Sequence, residues 1–386
     1  MLQQLYQIAH KTERKILGLM SGTSLDGLDI ALCKFNGAGL QTQVELLAFE
    51  TIPYSEPIRS EIQKVFAKKN TDLEQVTLLH NFLGKLYAEF VKEFLQKNHL
   101  SNREIDLIAS HGQTIFHAPK HLHQKSLYGN ATLQIADADQ IAYHTGIVTI
   151  SDFRQKHIAA GGEGAPLAIY GDFLLFKKAG ENRILLNIGG IANFTFLPAT
   201  CNPQEVWATD TGVGNTFLDY FTQKFFQKFY DENGEIAQSG TCNDFLLEKL
   251  LENPFFGRPF PKSTGQETFN YAWVEEILQK YKLQISPSDL LCTLTHFTAQ
   301  GILKGLQAIH LKDLRIYVSG GGAKNKFLLK ILQEYYSVQN FDVLGIPADA
   351  KEAVLFALLA NETITGSRVA IGQNPCVCMG KISLPY

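Results

Sequence analysis

A chain of 386 residues with 45% hydrophobic and 19% charged residues has the composition of a globular protein, and its length exceeds what one hydrophobic core usually serves, so two domains are expected. A formal net charge of −3 and a pI near 6.4 supply no field for a nucleic-acid backbone, and no run of about 18 uninterrupted apolar residues offers a membrane span. The opening MLQQLYQIAHKTERK lacks a signal-peptide core, and the six scattered cysteines read as reduced thiols (Cys376 and Cys378 are too close for an unstrained bridge), so a cytoplasmic protein acting on a small molecule is expected.

In chain order, strands are predicted over 15–20 and 28–33, joined by Ser21-Gly22-Thr23-Ser24-Leu25-Asp26-Gly27, a turn-forming sequence. A helix follows over 72–98, with Thr71 and Glu74 as its capping box and Leu73, Val76, Leu79, Phe82, Leu83, Leu86, Phe90 and Phe94 at helical spacing. A short apolar strand over 105–110 ends at His111-Gly112-Gln113-Thr114, and another over 146–150 ends at Ser151-Asp152-Phe153-Arg154. Strands over 183–188 and 191–197, joined by Gly189-Gly190, repeat the opening hairpin and suggest one architectural unit used twice. Helices are predicted over 215–229, 243–252, 271–281 and 287–310, the last capped by Ser286 with Pro287 in its first position. A strand over 315–319, the turn Gly320-Gly321-Gly322-Ala323-Lys324-Asn325, a helix over 324–335 and a final helix over 350–361 complete the chain. The seam is expected near 140–150, giving an N-terminal lobe of 1–145 plus 350–386 and a C-terminal lobe of 146–349.

Three turns can cradle phosphate: Ser21 to Gly27, Asp210-Thr211-Gly212-Val213-Gly214-Asn215, and 320–325. Glycine lets the backbone approach an anion with several N–H groups, Thr23 and Ser24 add hydroxyls, and Asp26 and Asp29 suit Mg²⁺ held through its water shell. Any one such turn is more often only a turn; it is their co-occurrence that points to a nucleotide. No G-x-x-x-x-G-K-[ST] and no H-R-D set occurs, which excludes the P-loop and protein-kinase classes. Asn325 stands where a dinucleotide fingerprint needs its third glycine, and Asp342 precedes its apolar run instead of ending one.

Asp152, at a strand end, is the candidate for orienting or deprotonating a nucleophile, although Asp in such a place also caps turns. Arg154 suits an anionic group, His111 and Gln113 suit sugar hydroxyls, and the glycine-rich segment 159–166 suits wrapping a ligand. Glu352 either favours a helix dipole or faces the ligand. His117, His121 and His123 have no carboxylate or cysteine beside them and read as a solvated loop.

Taken together, these stretches resemble the anhydro-N-acetylmuramic acid kinase family. The resemblance rests on 18–29, 110–114, 152–154, 159–167, 187–193, 210–215, 320–325 and 349–353, in order across nearly the whole chain. It implies an α/β, two-domain actin-like ATPase fold of the sugar-kinase type, with duplicated mixed-sheet domains and the site in a cleft between them. It implies that ATP, water and 1,6-anhydro-N-acetylmuramic acid give ADP and N-acetylmuramic acid 6-phosphate, in recycling of cell-wall fragments. The family's ATP-binding stretch maps onto Gly22, Thr23, Ser24, Leu25, Asp26, Gly27, Leu28 and Asp29, and its catalytic aspartate onto Asp152. The superfamily likeness sets Gly320, Gly321, Gly322 and Asn325 at the adenosine end, with Asp210 and Gly212 also on the nucleotide side. A homodimer is suggested as well. Three departures stand out: Glu163 for Gln, Ala136 for Gly and Val213 for Pro. The competing readings are a phosphatase or nucleoside-triphosphate hydrolase of the same fold, and an ATP-switched binding or filament protein.

Overall fold

The computed structural model describes residues 2–265 and 268–386. They form two compact units, Met1–Phe176 with Asp349–Tyr386, and Lys177–Ala348.

In the first unit, β1 (Glu13–Ser21), β2 (Gly27–Asn36) and β3 (Gln43–Pro53) form an antiparallel meander. β4 (Leu107–Ala118) joins β1 in parallel, β5 (Ala131–Ile135) pairs with the outer half of β4, and β6 (Thr149–Ser151) joins β4 in parallel. The C-terminal strand Lys381–Ser383 closes the edge, antiparallel to β6. β1 is apolar on both faces because both are covered. Leu79, Leu83 and Leu86 of the Leu73–Lys97 helix pack on one side. On the other lies the Lys351–Thr365 helix, with Ala353, Val354, Ala357 and Leu358 fully buried. Gly18 lets that helix approach, since a Cβ there would collide with the Ala353 carbonyl oxygen.

In the second unit, β7 (Arg183–Ile188), β8 (Ile191–Leu197) and β9 (Trp207–Val213) form a meander, and β10 (Arg315–Ser319) and β11 (Ser337–Asn340) extend it in parallel from β7. The order β11-β10-β7-β8-β9 repeats β6-β4-β1-β2-β3, strand direction included, so the unit inferred from two hairpins extends to five strands. Ala299, Ile302, Leu303 and Leu306 of the Pro287–Gln307 helix cover this sheet. A second core gathers Phe217, Phe255, Phe269 and Phe297.

Several local expectations shift. Residues 146–176 fall with the first unit, because β6 pairs with β4 and the buried Ala168–Phe176 helix sets Gly171 against Leu355. Asp72, not Thr71, caps the long helix, accepting from the Glu74 amide. Gly146, with φ of 71°, ends the Ala138–Thr145 helix and does not open a strand. His111 lies inside β4, not at its end, and residues 210–213 belong to β9, leaving only Gly214 and Asn215 as the turn. The 324–335 helix is a short 3₁₀ turn, Gly321–Lys324, followed by Lys326–Gln333.

Candidate active site

The turn after β1 is braced from below by a directed chain of hydrogen bonds. Gln113 Oε1 can only accept, so the buried Ser21 hydroxyl donates to it; Tyr54 then donates to Ser21 at 2.7 Å and Tyr87 to Tyr54 at 2.8 Å. The Gln113 amide nitrogen donates to the Gly22 and Thr114 carbonyls, each at 3.1 Å. Gln113 is fully buried and fully engaged, so it holds the Gly22 turn in place; it does not offer a free group to a sugar. Leu25 and Leu28 are core residues, leaving only their backbone for a ligand; Leu25 is left-handed at φ 56°, and its carbonyl accepts from Arg59 at 2.9 Å. A Cβ on Gly22 would meet nothing closer than Ser24 Oγ at 3.6 Å, whereas one on Gly27 would collide with the Ile52 carbonyl. Gly22 therefore has open ground before it, and Gly27 is explained by packing. Thr23, Ser24 and Asp26 are exposed, with Ser24 donating to Asp26 at 2.6 Å.

Asp152, His111, Arg154 and Glu352 all belong to the first unit. Asp152 directly follows β6 and precedes the Phe153–Ala159 helix, with φ of 55° and no side-chain capping bond. The capping alternative therefore fails: its carboxylate is free of the helix, and its Oδ2 accepts from Lys381 Nζ at 3.1 Å. Arg154 donates through Nε to His111 Nε2 at 2.8 Å and through a terminal nitrogen to the Gly164 carbonyl at 2.7 Å. His111 Nε2 is thus the acceptor, so Nδ1 carries the proton and donates to the Gly112 carbonyl at 2.8 Å. Burial and the neighbouring guanidinium push the His111 pKa down to about 3. His111 is then a neutral brace for Arg154, ring against Phe356 at 4.5 Å, and not a sugar-reading loop residue. Glu352 is water-accessible yet closely flanked by protein; that desolvation pushes its carboxyl pKa up, against the pull of Arg154 and Lys351.

A polar cavity of about 300 Å³ adjoins Asp152, lined also by His80, Ser110, Gln134, Ala136 and Lys381. Ala136 has φ of 97°, a backbone that favours glycine. Glu163 pairs with His121 at 3.3 Å.

In the second unit, Gly320 turns the chain with φ of 80° and lies against the end of β7, where a Cβ would stand 2.6 Å from Asn187 Oδ1. Gly322 packs on Ile188 in the same way. Asn325 caps the Lys326–Gln333 helix, accepting from the Leu328 amide at 3.0 Å. Beside this turn is a cavity of about 540 Å³ lined by Asn215, Asp219, Tyr230, Gly321, Lys324 and Asn325, of a size that suits a nucleoside. Desolvation raises the Asp219 pKa to about 6; neither Asp219 nor Tyr230 carried a signal in the sequence. Asp210 is tied to the 262–264 segment, its Oδ2 accepting from the Thr264 amide at 2.8 Å and its own amide donating to the Lys262 carbonyl at 2.9 Å. Gly212, with φ of 132°, lies by a register shift between β8 and β9.

Among the described residues no group of three or more His, Cys, Asp or Glu is placed to hold a bare metal ion. A hydrated Mg²⁺ fits the donors nonetheless. The Asp29 pKa is raised chiefly by desolvation and further by the charges of Asp26, Glu352 and Asp349, with the Thr51 hydroxyl opposing at 2.5 Å. These are hard oxygen donors of like charge gathered together, the kind that meets Mg²⁺ through water. All six cysteines are free, and no helix among the described residues is long and apolar enough to cross a membrane.

A mixed sheet built twice in the same strand order, with glycine turns at strand ends, defines an α/β protein of the actin-like, sugar-kinase type. The family model for anhydro-N-acetylmuramic acid kinase matches residues 14–375. The anhydro-N-acetylmuramic acid kinase of Pseudoalteromonas atlantica is 48% identical, covering 100% of this chain and 99% of its own. That of Caldanaerobacter subterraneus is 39% identical over 99% and 100%. A solved activator of the 2-hydroxyisocaproyl-CoA dehydratase from Clostridium difficile covers 91% of this chain and 96% of its own at 13% identity and a TM-score of 0.41, too distant to add to the topology. The chain belongs to the anhydro-N-acetylmuramic acid kinase family, and it is a kinase.

Proposed function

We propose that this kinase uses ATP and water to convert 1,6-anhydro-N-acetylmuramic acid to N-acetylmuramic acid 6-phosphate, with Asp152 as the general base. The observation that carries the reading is a carboxylate at a strand end, unspent on its helix and bordering a polar cavity. In the anhydro sugar O6 is tied to C1, so no free 6-hydroxyl exists. Asp152 takes a proton from water as its oxygen attacks C1, and the C1–O6 bond breaks. O6 then attacks the γ-phosphorus and ADP leaves. Arg154, fixed by His111 and the Gly164 carbonyl, holds an anionic group of the sugar, and Glu352 faces it. The reading assigns phosphate to the Gly22 turn and adenosine to the cavity beside the 320–325 turn. Mg²⁺, when bound through water near Asp26 and Asp29, neutralises phosphate charge. Cytoplasmic location and a homodimer belong to the same reading; sedimentation of the purified chain tests the dimer.

The test is Asp152→Asn, which keeps size but removes the basic lone pair. Turnover should fall by about 10²–10⁴ with sugar and ATP affinity little changed. In H₂¹⁸O the parent should place the label at C1 and none at O6. Near-parent turnover of the variant, or label at O6, sinks the assignment. Phosphate release from ATP at the same rate without sugar would favour a hydrolase instead.

A further inference from the structure

Among the described residues, a single group donates to the Asp152 carboxylate, and it comes from the far end of the chain. Lys381 Nζ donates to Asp152 Oδ2 at 3.1 Å. The helix that Asp152 opens takes no bond from its side chain, and the Arg154 guanidinium, two residues on, is committed to His111 and the Gly164 carbonyl. Asp152 and Lys381 both border the polar cavity of about 300 Å³.

The backbone delivers Lys381 to this place. The strand Lys381–Ser383 pairs antiparallel with β6 and sets Lys381 opposite Ser151, the residue before Asp152. Gly380, just ahead of it, has φ of 110°, and a Cβ there would stand 2.6 Å from Ile150 Cγ2, so glycine is what lets the chain come this close. Met379 is buried, and its carbonyl accepts from the Thr363 hydroxyl of the Lys351–Thr365 helix at 2.5 Å. The lysine therefore projects from a backbone anchored on both sides. Its side chain is 65% exposed and that of Asp152 33%, and an ion pair so open adds little to stability. Its consequence is orientation. A carboxylate with no other bond would turn among its rotamers; with Oδ2 held, Oδ1 is the oxygen left to meet a water.

We propose that Lys381 is a positioning residue for Asp152, fixing one carboxylate oxygen so that the other is aimed at the attacking water. The inference rests on the general-base reading above. The water gives a proton to Oδ1 as its oxygen bonds to C1 and the C1–O6 bond breaks, its electron pair going to O6. O6 then bonds to the γ-phosphorus as ADP leaves, and Asp152 returns the proton to solvent. Lys381 keeps its own protons throughout.

Lys381→Met and Lys381→Arg, made in the full chain, keep the length of the side chain and differ in its charge and donors. Met should lower kcat by about tenfold or more, with the sugar KM, the ATP Kd and the melting temperature close to those of the parent. Arg should retain most of the parent kcat. In the Asp152→Asn background, Lys381→Met should cost nothing further, because a residue acting only through Asp152 has nothing left to position. A parent-like kcat for Met overturns the proposal, as does an Arg variant no better than Met. A raised sugar KM at unchanged kcat overturns it too, by making Lys381 a sugar contact, and so does an equal loss from Met with and without Asp152. Should Met fail to fold, Lys381→Gln takes its place with the same expectations. Asp152→Asn alone separates the two readings: an inactive Asp152→Asn beside a parent-like Lys381→Met removes the role of the lysine only, whereas a fully active Asp152→Asn removes both.

Discussion

Two glycines of one turn should respond in opposite ways. Gly22→Val points into open ground, so it should leave the melting temperature nearly unchanged while raising the ATP Kd about tenfold or more, a loss of about 1.4 kcal/mol; scanning calorimetry reads the first and titration calorimetry the second. Gly27→Ala drives a Cβ into the Ile52 carbonyl and should cost about 1–3 kcal/mol of stability. Ala136 presents the reverse case. Holding an alanine at φ 97° costs about 1–2 kcal/mol, while glycine would add about 0.4–1 kcal/mol of unfolded-state entropy, so Ala136→Gly should gain between about 0 and about 1.6 kcal/mol. His111 gives a pH signature. Its folded pKa of about 3 lies below the ordinary 6.5, so between those values the unfolded chain binds more protons. The contribution is complete above pH 6.5 and is lost as pH falls toward 3. His111→Gln, which keeps an acceptor for Arg154, should melt with a weaker dependence on pH across that window.

Elements bounded by glycine and apolar on both faces were legible from sequence: the strands over 183–188, 191–197 and 315–319 coincide with β7, β8 and β10. β3 was not, because its residues stay half-exposed along most of its length and mix charge with apolar character. The strand Lys381–Ser383 exists only through its pairing with β6, a contact between residues far apart in sequence, and so the Lys381 partner of Asp152 could not be foreseen. The 215–229 helix stops at Phe226 because Gln227 turns left-handed at φ 56°. In the candidate site, the position of Asp152 directly after a strand was legible, whereas the inward placement of Gln113 and His111 depends on burial that local pattern does not encode. The Lys351–Thr365 helix offers a test at this scale. Gly18→Ala should push it off β1 and displace Glu352 at its first turn, costing about 1–3 kcal/mol and lowering turnover; an unchanged melting temperature would show that the helix yields freely.

At the scale of the whole molecule, the second unit is one continuous segment, while the first is closed only by residues from 349 onward. An isolated 177–348 fragment should therefore melt cooperatively by circular dichroism, and a chain ending at 348 should lose the cooperative melt of its first unit, because one face of that sheet loses Ala353, Val354 and Leu358. The same interruption sets an order on the ribosome. The early strands β1 to β6 emerge first but cannot bury their second face until the whole intervening unit has been translated. At roughly 5–20 residues per second, that is a wait on the order of ten to thirty seconds, during which the apolar face of β1 is a client for a chaperone. Nascent chains arrested beyond residue 348 on an unstructured linker should resist protease in the later-made unit and be cleaved in the earlier one.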